Sequence, residues 1–216
     1  MATIEPGKRP VLLLITLTAL IAGSLITLSD ELSRERIAAN QRARLLATLH
    51  EVIDPALYDN DLEASRRFVT SPDLLGTSEP VEVFLATANG EAVAALFSTV
   101  APRGYNGPIN LLVGVTIDGT ITGVRVARHR ETPGLGDAIE IGKSDWIEGF
   151  SATSLDAPAL ADWRVTKDGG YFDSITGATV TPRVIVEAVR NTLIYVRDYG
   201  EELFDDLPAA EGDVRE

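Results

Sequence analysis

Two of the Asn-Gly and Asp-Gly pairs in this chain sit between runs of alternating apolar residues and read as hairpin turns. Asn89-Gly90 lies between Val81 to Ala88 and Glu91 to Val100, and Asp118-Gly119 between Ile109 to Ile117 and Thr120 to Ala127. Such pairs readily take the positive-φ backbone of a two-residue turn, so each predicts a β-hairpin. Two successive hairpins make an antiparallel sheet of about four strands, and a sheet of that size needs helices on at least one face to bury a core. The candidate helices are residues 137–150, with Ile139, Ile141, Trp146 and Ile147, and residues 182–199. The expected fold class is α+β, with the folded domain spanning residues 81–200.

The second candidate helix carries Val184, Ile185, Ala188, Val189, Leu193, Ile194 and Val196 at helical spacing, leaving Glu187, Arg190 and Asn191 for the other face. That stripe docks it on the sheet. Thr181 is its expected N-cap and Pro182 its first helical residue. One cap needs one hydroxyl, yet Ser174, Thr176, Thr179 and Thr181 crowd the same turn, and Gly177 allows close backbone approach. Asp173 to Pro182 therefore reads in two ways. It is either a helix start alone, or an anion site where free N–H groups and the helix dipole favour a phosphate.

Two loops are expected near that helix start. Arg128-His129-Arg130-Glu131-Thr132-Pro133-Gly134-Leu135-Gly136 exposes backbone through Pro-Gly-x-Gly, and either lines a planar ligand or merely turns the chain. His129 is a candidate acid–base group, a stacking ring or an ordinary strand-end residue. Gly104-Tyr105-Asn106-Gly107-Pro108 forms the other loop, before the third strand. Asp59-Asn60-Asp61 lacks the spaced ligands and closing Glu of a calcium loop and reads as a plain turn in an irregular segment, 54–80.

Val11 to Ser29 contains no charged residue and is long enough to cross a bilayer as a helix. Lys8 and Arg9 precede it and Asp30 and Glu31 follow, so residues 1–10 are expected in the cytoplasm and the rest exported. A cleaved signal peptide is the competing reading, but the run is long for one and no clear small-x-small site precedes Asp30. Asp30 to about Ile53 favours a membrane-proximal helix. Beyond Ser29, 17 basic residues face 31 acidic ones, a formal charge of −14. That balance argues against nucleic acid and anionic lipid as partners. Residues 201–216 read as a frayed acidic tail. With no cysteine and two histidines, thiol chemistry and iron–sulfur clusters are excluded and no metal site is expected; redox chemistry would need a borrowed cofactor.

Asp173-x-x-Thr176-Gly177-Ala178-Thr179 resembles the Asp-x-x-Ser/Thr-Gly-Ala-Ser/Thr signature of periplasmic FMN-binding domains. Gly104-Tyr105-x-Gly107, His129-x-Glu131-Thr132-Pro133-Gly134-Leu135-Gly136, Ser144-Asp145-Trp146 and the N-terminal anchor are similar to the G subunit of the Rnf (or Rsx) ion-translocating electron transport complexes. The C subunit of the sodium-translocating NADH:quinone reductases is the nearest alternative, and an exported non-redox binding module is an alternative of another class.

The resemblance implies an electron-carrying subunit of a ferredoxin:NAD oxidoreductase complex that translocates ions, with no catalysis by the chain alone. It implies FMN joined through a phosphoester to Thr179 by a flavin transferase, with Asp173 serving during attachment. Ser174, Thr176, Gly177 and Ala178 are the expected cofactor-binding neighbours, and Glu131, Thr132, Leu135 and Gly136 the expected wall beside the ring. The implied location is the bacterial inner membrane, single-pass, with the C-terminal domain periplasmic among the other subunits of the complex.

Overall fold

The computed structural model describes residues 17–20, 43 and 45–205. The chain divides into two compact units, Met1–Leu45 and Leu46–Glu216. In the first, residues 17–20 are helical. No helix among the described residues is long and apolar enough to cross a membrane. The rest of the expected span, Val11 to Ser29, lies outside the described residues, as do most of the expected membrane-proximal helix and everything beyond Asp205.

The second unit is built on a five-stranded antiparallel meander: β1 (Arg66–Val69), β2 (Val81–Ala88), β3 (Glu91–Gly104), β4 (Gly107–Thr116) and β5 (Ile121–Arg128), in that spatial order. The β2–β3 hairpin turns at Asn89 and Gly90, with φ of 53° and 82°, the type I′ geometry that Asn-Gly favours. The β4–β5 connection is longer than expected. β4 ends at Thr116, and Gly119 alone has positive φ there, because the Thr116 hydroxyl accepts from the Thr120 N–H and pins a wider turn. Gly104-Tyr105-Asn106-Gly107 is the tip of a third hairpin, between β3 and β4.

β1 falls in the segment expected to be irregular. Its sequence, Arg-Arg-Phe-Val, has little apolar alternation, as suits a short charged edge strand. Side chains upstream align it on β2. Asn60 donates to the Leu85 carbonyl and accepts from the Thr87 N–H, and the Ser65 hydroxyl bonds the Leu85 backbone. Asp59 accepts from the Asn89 N–H. The acidic triplet therefore serves the hairpin edge.

Both faces of the sheet are covered. On one, Val83, Leu85, Ala95, Phe97, Leu111 and Val113 meet the long helix Val180–Asp205 through Ile185, Val186, Val189 and Leu193. On the other, Phe84, Leu96 and Leu112 are buried, and the helix 45–52, α1, with Leu49 and Val52 buried, seats Val52 against Gly114 and Gly123. A four-residue helix, α2 (Pro72–Leu75), precedes β2, and the long helix is α3.

Two expectations for helices are corrected. Residues 137–150 form no continuous helix, only 3₁₀ turns at Gly136–Ile139 and Trp146–Phe150. Gly142 weakens a helix, and Ser144 takes backbone partners for itself: its hydroxyl donates to the Ala138 carbonyl and accepts from the Trp146 N–H. The segment is held by aromatic packing, with Phe150 stacked on Phe172 at 4.6 Å and Trp163 against Phe172 at 4.8 Å. Conversely, α3 runs through the expected tail to Asp205 and buries Leu203 and Phe204. Each such burial stabilises by about 1.5–3 kcal/mol, which offsets the ~1–2 kcal/mol backbone entropy of ordering its own residue.

Candidate functional site

The start of α3 is shaped by a tight turn. The Ala178 N–H donates to the Ile175 carbonyl, and Gly177 sits at φ 84° with Thr176 before it, the pattern of a type II turn that favours glycine at its third position. A Cβ at Gly177 would lie 2.8 Å from Leu135 Cδ2, so this glycine also permits close contact with the 131–136 loop. α3 begins at Val180, one residue before the expected cap. Thr181 is thus inside the helix and buried, and its hydroxyl donates to Glu131 Oε2 rather than capping. Pro182 falls in the first turn, where its missing N–H is no loss. The N–H groups of Thr179, Val180 and Thr181 precede the first possible helical carbonyl and are left for another partner.

The second wall is the loop after β5. Thr132 O accepts from the Leu135 and Gly136 N–H groups, curling Pro133-Gly134 outward and leaving Leu135 46% exposed. The third is the β3–β4 tip, with Tyr105 68% exposed. Glu131 joins all three walls. It is 4% exposed, and its carboxylate accepts from the Asn106 N–H at 2.9 Å through Oε1 and from the Thr181 hydroxyl through Oε2. Asn106 Nδ2 also donates to the Thr132 hydroxyl at 3.1 Å. Gly136 is needed beneath this tie, since a Cβ there would come within 2.8 Å of Glu131 Cβ.

Behind Glu131, His129 Nδ1 accepts from the Glu131 N–H at 3.1 Å, which assigns the ring proton to Nε2 and directs it to Glu140 Oε1 at 2.8 Å. His129 is in this way a strut for the loop.

Together these elements enclose a cavity of about 290 Å³ lined by Tyr105, Glu131, Thr132, Leu135, Gly136 and the backbone and side chains of 177–181. Glu131, Thr132, Leu135, Gly136, Gly177, Ala178 and Thr179 are thus brought to one place. Thr179 is exposed at the junction of turn and helix. Ser174, Thr176 and Asp173 do not line this cavity. Ser174 Oγ bonds the Thr166 hydroxyl and accepts from the Lys167 N–H, and Thr176 is exposed on the turn. Asp173 borders a neighbouring cavity of about 400 Å³ with Trp146 and Tyr171, and its carbonyl accepts from Trp146 Nε1. Val180 and Thr181 also join the wall, within the stretch read as a possible anion site but as the first helical residues rather than as turn and cap. Their part depends on the helix starting at Val180, and a capping threonine and an early helical one are the same residue in sequence.

Among the described residues no Lys or Arg lines the cavity, so an anion there is met by backbone N–H groups and the α3 dipole. Just outside, Arg183 of the first turn of α3 holds Asp168 at 2.6 Å, and hydrogen bonding to that guanidinium keeps the Asp168 carboxyl below its ordinary range.

Residues 104–194 match the FMN-binding domain family. The chain is 44% identical to the G subunit of the ion-translocating oxidoreductase complex of Shewanella amazonensis over 89% of this chain and 90% of that one. It is 45% identical to the corresponding G subunit of Pseudomonas aeruginosa over 92% of each. Among solved structures, NqrC of Shewanella oneidensis is similar at 23% identity over 67% of this chain and 74% of the other, with a TM-score of 0.49.

Proposed function

The chain belongs to the G-subunit family of ion-translocating oxidoreductase complexes, and from this we propose that it is the FMN-carrying electron-relay subunit of such a complex, with the flavin held by a phosphoester to Thr179. The observation that carries the reading is the meeting of Thr179 with three walls of one cavity, all but the turn itself remote from it in sequence. The residues fit the group. Thr179 offers an exposed hydroxyl where three N–H donors lack helical partners. Gly177 and Gly136 keep the backbone close on both sides, and Leu135 and Tyr105 present apolar surface. The one carboxylate in the wall, Glu131, has both oxygens engaged by neighbours, Oε1 by the Asn106 N–H and Oε2 by the Thr181 hydroxyl.

Bound FMN supplies the electron-carrying chemistry. The chain's part is to hold the phosphate end at the α3 N-terminus, to wall one side of the ligand with Thr132 and Leu135, and to keep those walls in register through Glu131. No side chain is needed to donate or remove a proton. Attachment is the work of a flavin transferase, for which Asp173 stands three residues before Thr176. A covalent link suits an exported domain, which has no cellular FMN pool to draw on. Val11 to Ser29 would anchor the chain in the inner membrane with the FMN domain outside.

The test is denaturing electrophoresis of protein made together with a flavin transferase. In-gel flavin fluorescence is expected for the native chain and for Thr179→Ser, and its loss for Thr179→Val. Fluorescence that survives Thr179→Val would overturn the assignment.

A further inference from the structure

A cavity larger than the candidate flavin site lies elsewhere on the folded unit. About 590 Å³ in volume, it lies between the β4–β5 turn, the 154–160 segment and the last turns of α3. None of its lining residues is shared with the Thr179 cavity. Its floor is apolar, made by Leu193, Val196 and Phe204 of α3 with Leu155. Two apolar lips, Ile117 and Leu160, are 58% and 44% exposed. Around this floor stand four acidic side chains, Asp118, Asp156, Glu201 and Asp205. The single cation of the described lining, Arg197, is committed to Asp198 at 2.8 Å. Asp118 is held ionised by the Thr116 hydroxyl and the Thr120 N–H, which lower its pKa.

Gly200 adds an independent observation. It lies inside the 26-residue α3, where glycine is the least favourable residue after proline. Its φ is not positive, and a Cβ there would make only ordinary contacts, 3.4 Å from Val196 Cγ1 and Phe204 Cε2. Packing within the described chain therefore does not require glycine. Gly200 is buried and lines the groove, so its missing Cβ leaves room at the floor for a side chain from outside.

We propose that this groove docks a segment of a neighbouring subunit of the complex, one that inserts an aliphatic or aromatic side chain over Gly200 between flanking Lys or Arg residues. The membership in a complex rests on the function proposed above; the chemistry of the segment rests on the groove. The acidic rim selects this occupant over others. Anionic lipid headgroups are repelled by it, and so is a second copy of a chain with net charge −13. An apolar anchor in a desolvated pocket with a complementary charged rim is how a modest surface reaches specific binding.

The experiment places a photo-crosslinking phenylalanine analogue at Leu160 of the full chain. The assembled complex is purified from membranes through a tag on a different subunit. The expected product is a crosslink to another subunit, at a peptide in which Lys or Arg flanks an aliphatic or aromatic residue. Gly200→Leu, which fills the floor, and the surface pair Asp156→Lys with Glu201→Lys, which reverses the rim, should each lower its yield at least fivefold. The charge reversals decide the matter if Gly200→Leu does not fold. A crosslink to lipid, to residues 206–216 of the same chain, to a second copy or to an acidic peptide would overturn the proposal. So would unchanged yield in the charge-reversed protein, or no crosslink at all. In-gel flavin fluorescence of the same band reports on the Thr179 site separately. A dark band with the expected crosslink would sink the flavin reading and leave the groove standing.

Discussion

At the residue, the most consequential side chain is Glu131, because one buried carboxylate holds a hairpin tip, a loop and a helix start together. Glu131→Ala leaves the buried Thr181 hydroxyl and the part-buried Asn106 N–H without their acceptor, at about 1–3 kcal/mol for the buried hydroxyl and less for the N–H. A loss of roughly 2–4 kcal/mol in urea-unfolding free energy is expected. Glu131→Gln keeps one carbonyl acceptor and should lose about 1 kcal/mol. Equal losses in the two variants would show that the carboxylate is not the tie. The surface pair of Asp168 and Arg183 gives a pH signature. Its carboxyl titrates below the ordinary value when folded, so its stabilisation is complete above about pH 4 and is lost as pH falls through the depressed value. Asp168→Asn should therefore lower stability at neutral pH slightly and flatten the acid side of a stability–pH curve. An acid limb identical to the native one would contradict this.

At the element, the second face of the sheet depends on glycine. Gly114 of β4 and Gly123 of β5 pair directly across the ladder. A Cβ at Gly123 would sit 2.9 Å from the Val52 carbonyl oxygen, and one at Gly114 would sit 2.7 Å from Val52 Cγ1. Because the Gly123 contact is with backbone, Gly123→Ala must displace the end of α1, and a loss of about 1–3 kcal/mol is expected by urea unfolding. A fall below ~0.5 kcal/mol would mean that α1 is not seated there. These two glycines stand inside strands whose alternation already announced them, but a glycine that admits a helix looks in sequence like one that merely weakens a strand. Other elements show the same division. Asn89-Gly90 and the apolar stripe of α3 were readable because local backbone preference and periodicity agree with the tertiary result. β1 was not, since Arg66–Val69 is set by the side chains of Asn60 and Ser65 reaching the β2 backbone. Residues 137–150 carried helical spacing that Gly142 and Ser144 overrode. The site was readable as motifs, but Thr181's attachment to Glu131 is a contact across 50 residues that no local pattern carries.

At the scale of the whole molecule, the chain separates into a short N-terminal unit and a unit from Leu46 that contains the sheet, α1, α3 and the entire candidate site. α1 belongs functionally to the second unit. Leu49 and Val52 are almost fully buried, and Val52 lies against Gly114 and Gly123 of the sheet. A truncation for study should therefore begin at Leu46 and not at the start of the first strand. Directed to the same compartment by a cleavable signal and made with a flavin transferase, such a chain should fold, fluoresce in denaturing gels and partition into the aqueous fraction. The full chain should carry the same fluorescence in the membrane fraction, because Val11 to Ser29 is uncharged over a length that can span a bilayer. A chain beginning at Val81 would lack β1 and the cover of one sheet face, and should fail to accumulate. If the Leu46 chain instead sedimented with membranes, attachment would reside in the folded unit. If it were soluble and folded but dark, the N-terminal unit would be needed for flavin attachment, which the position of Thr179 does not anticipate.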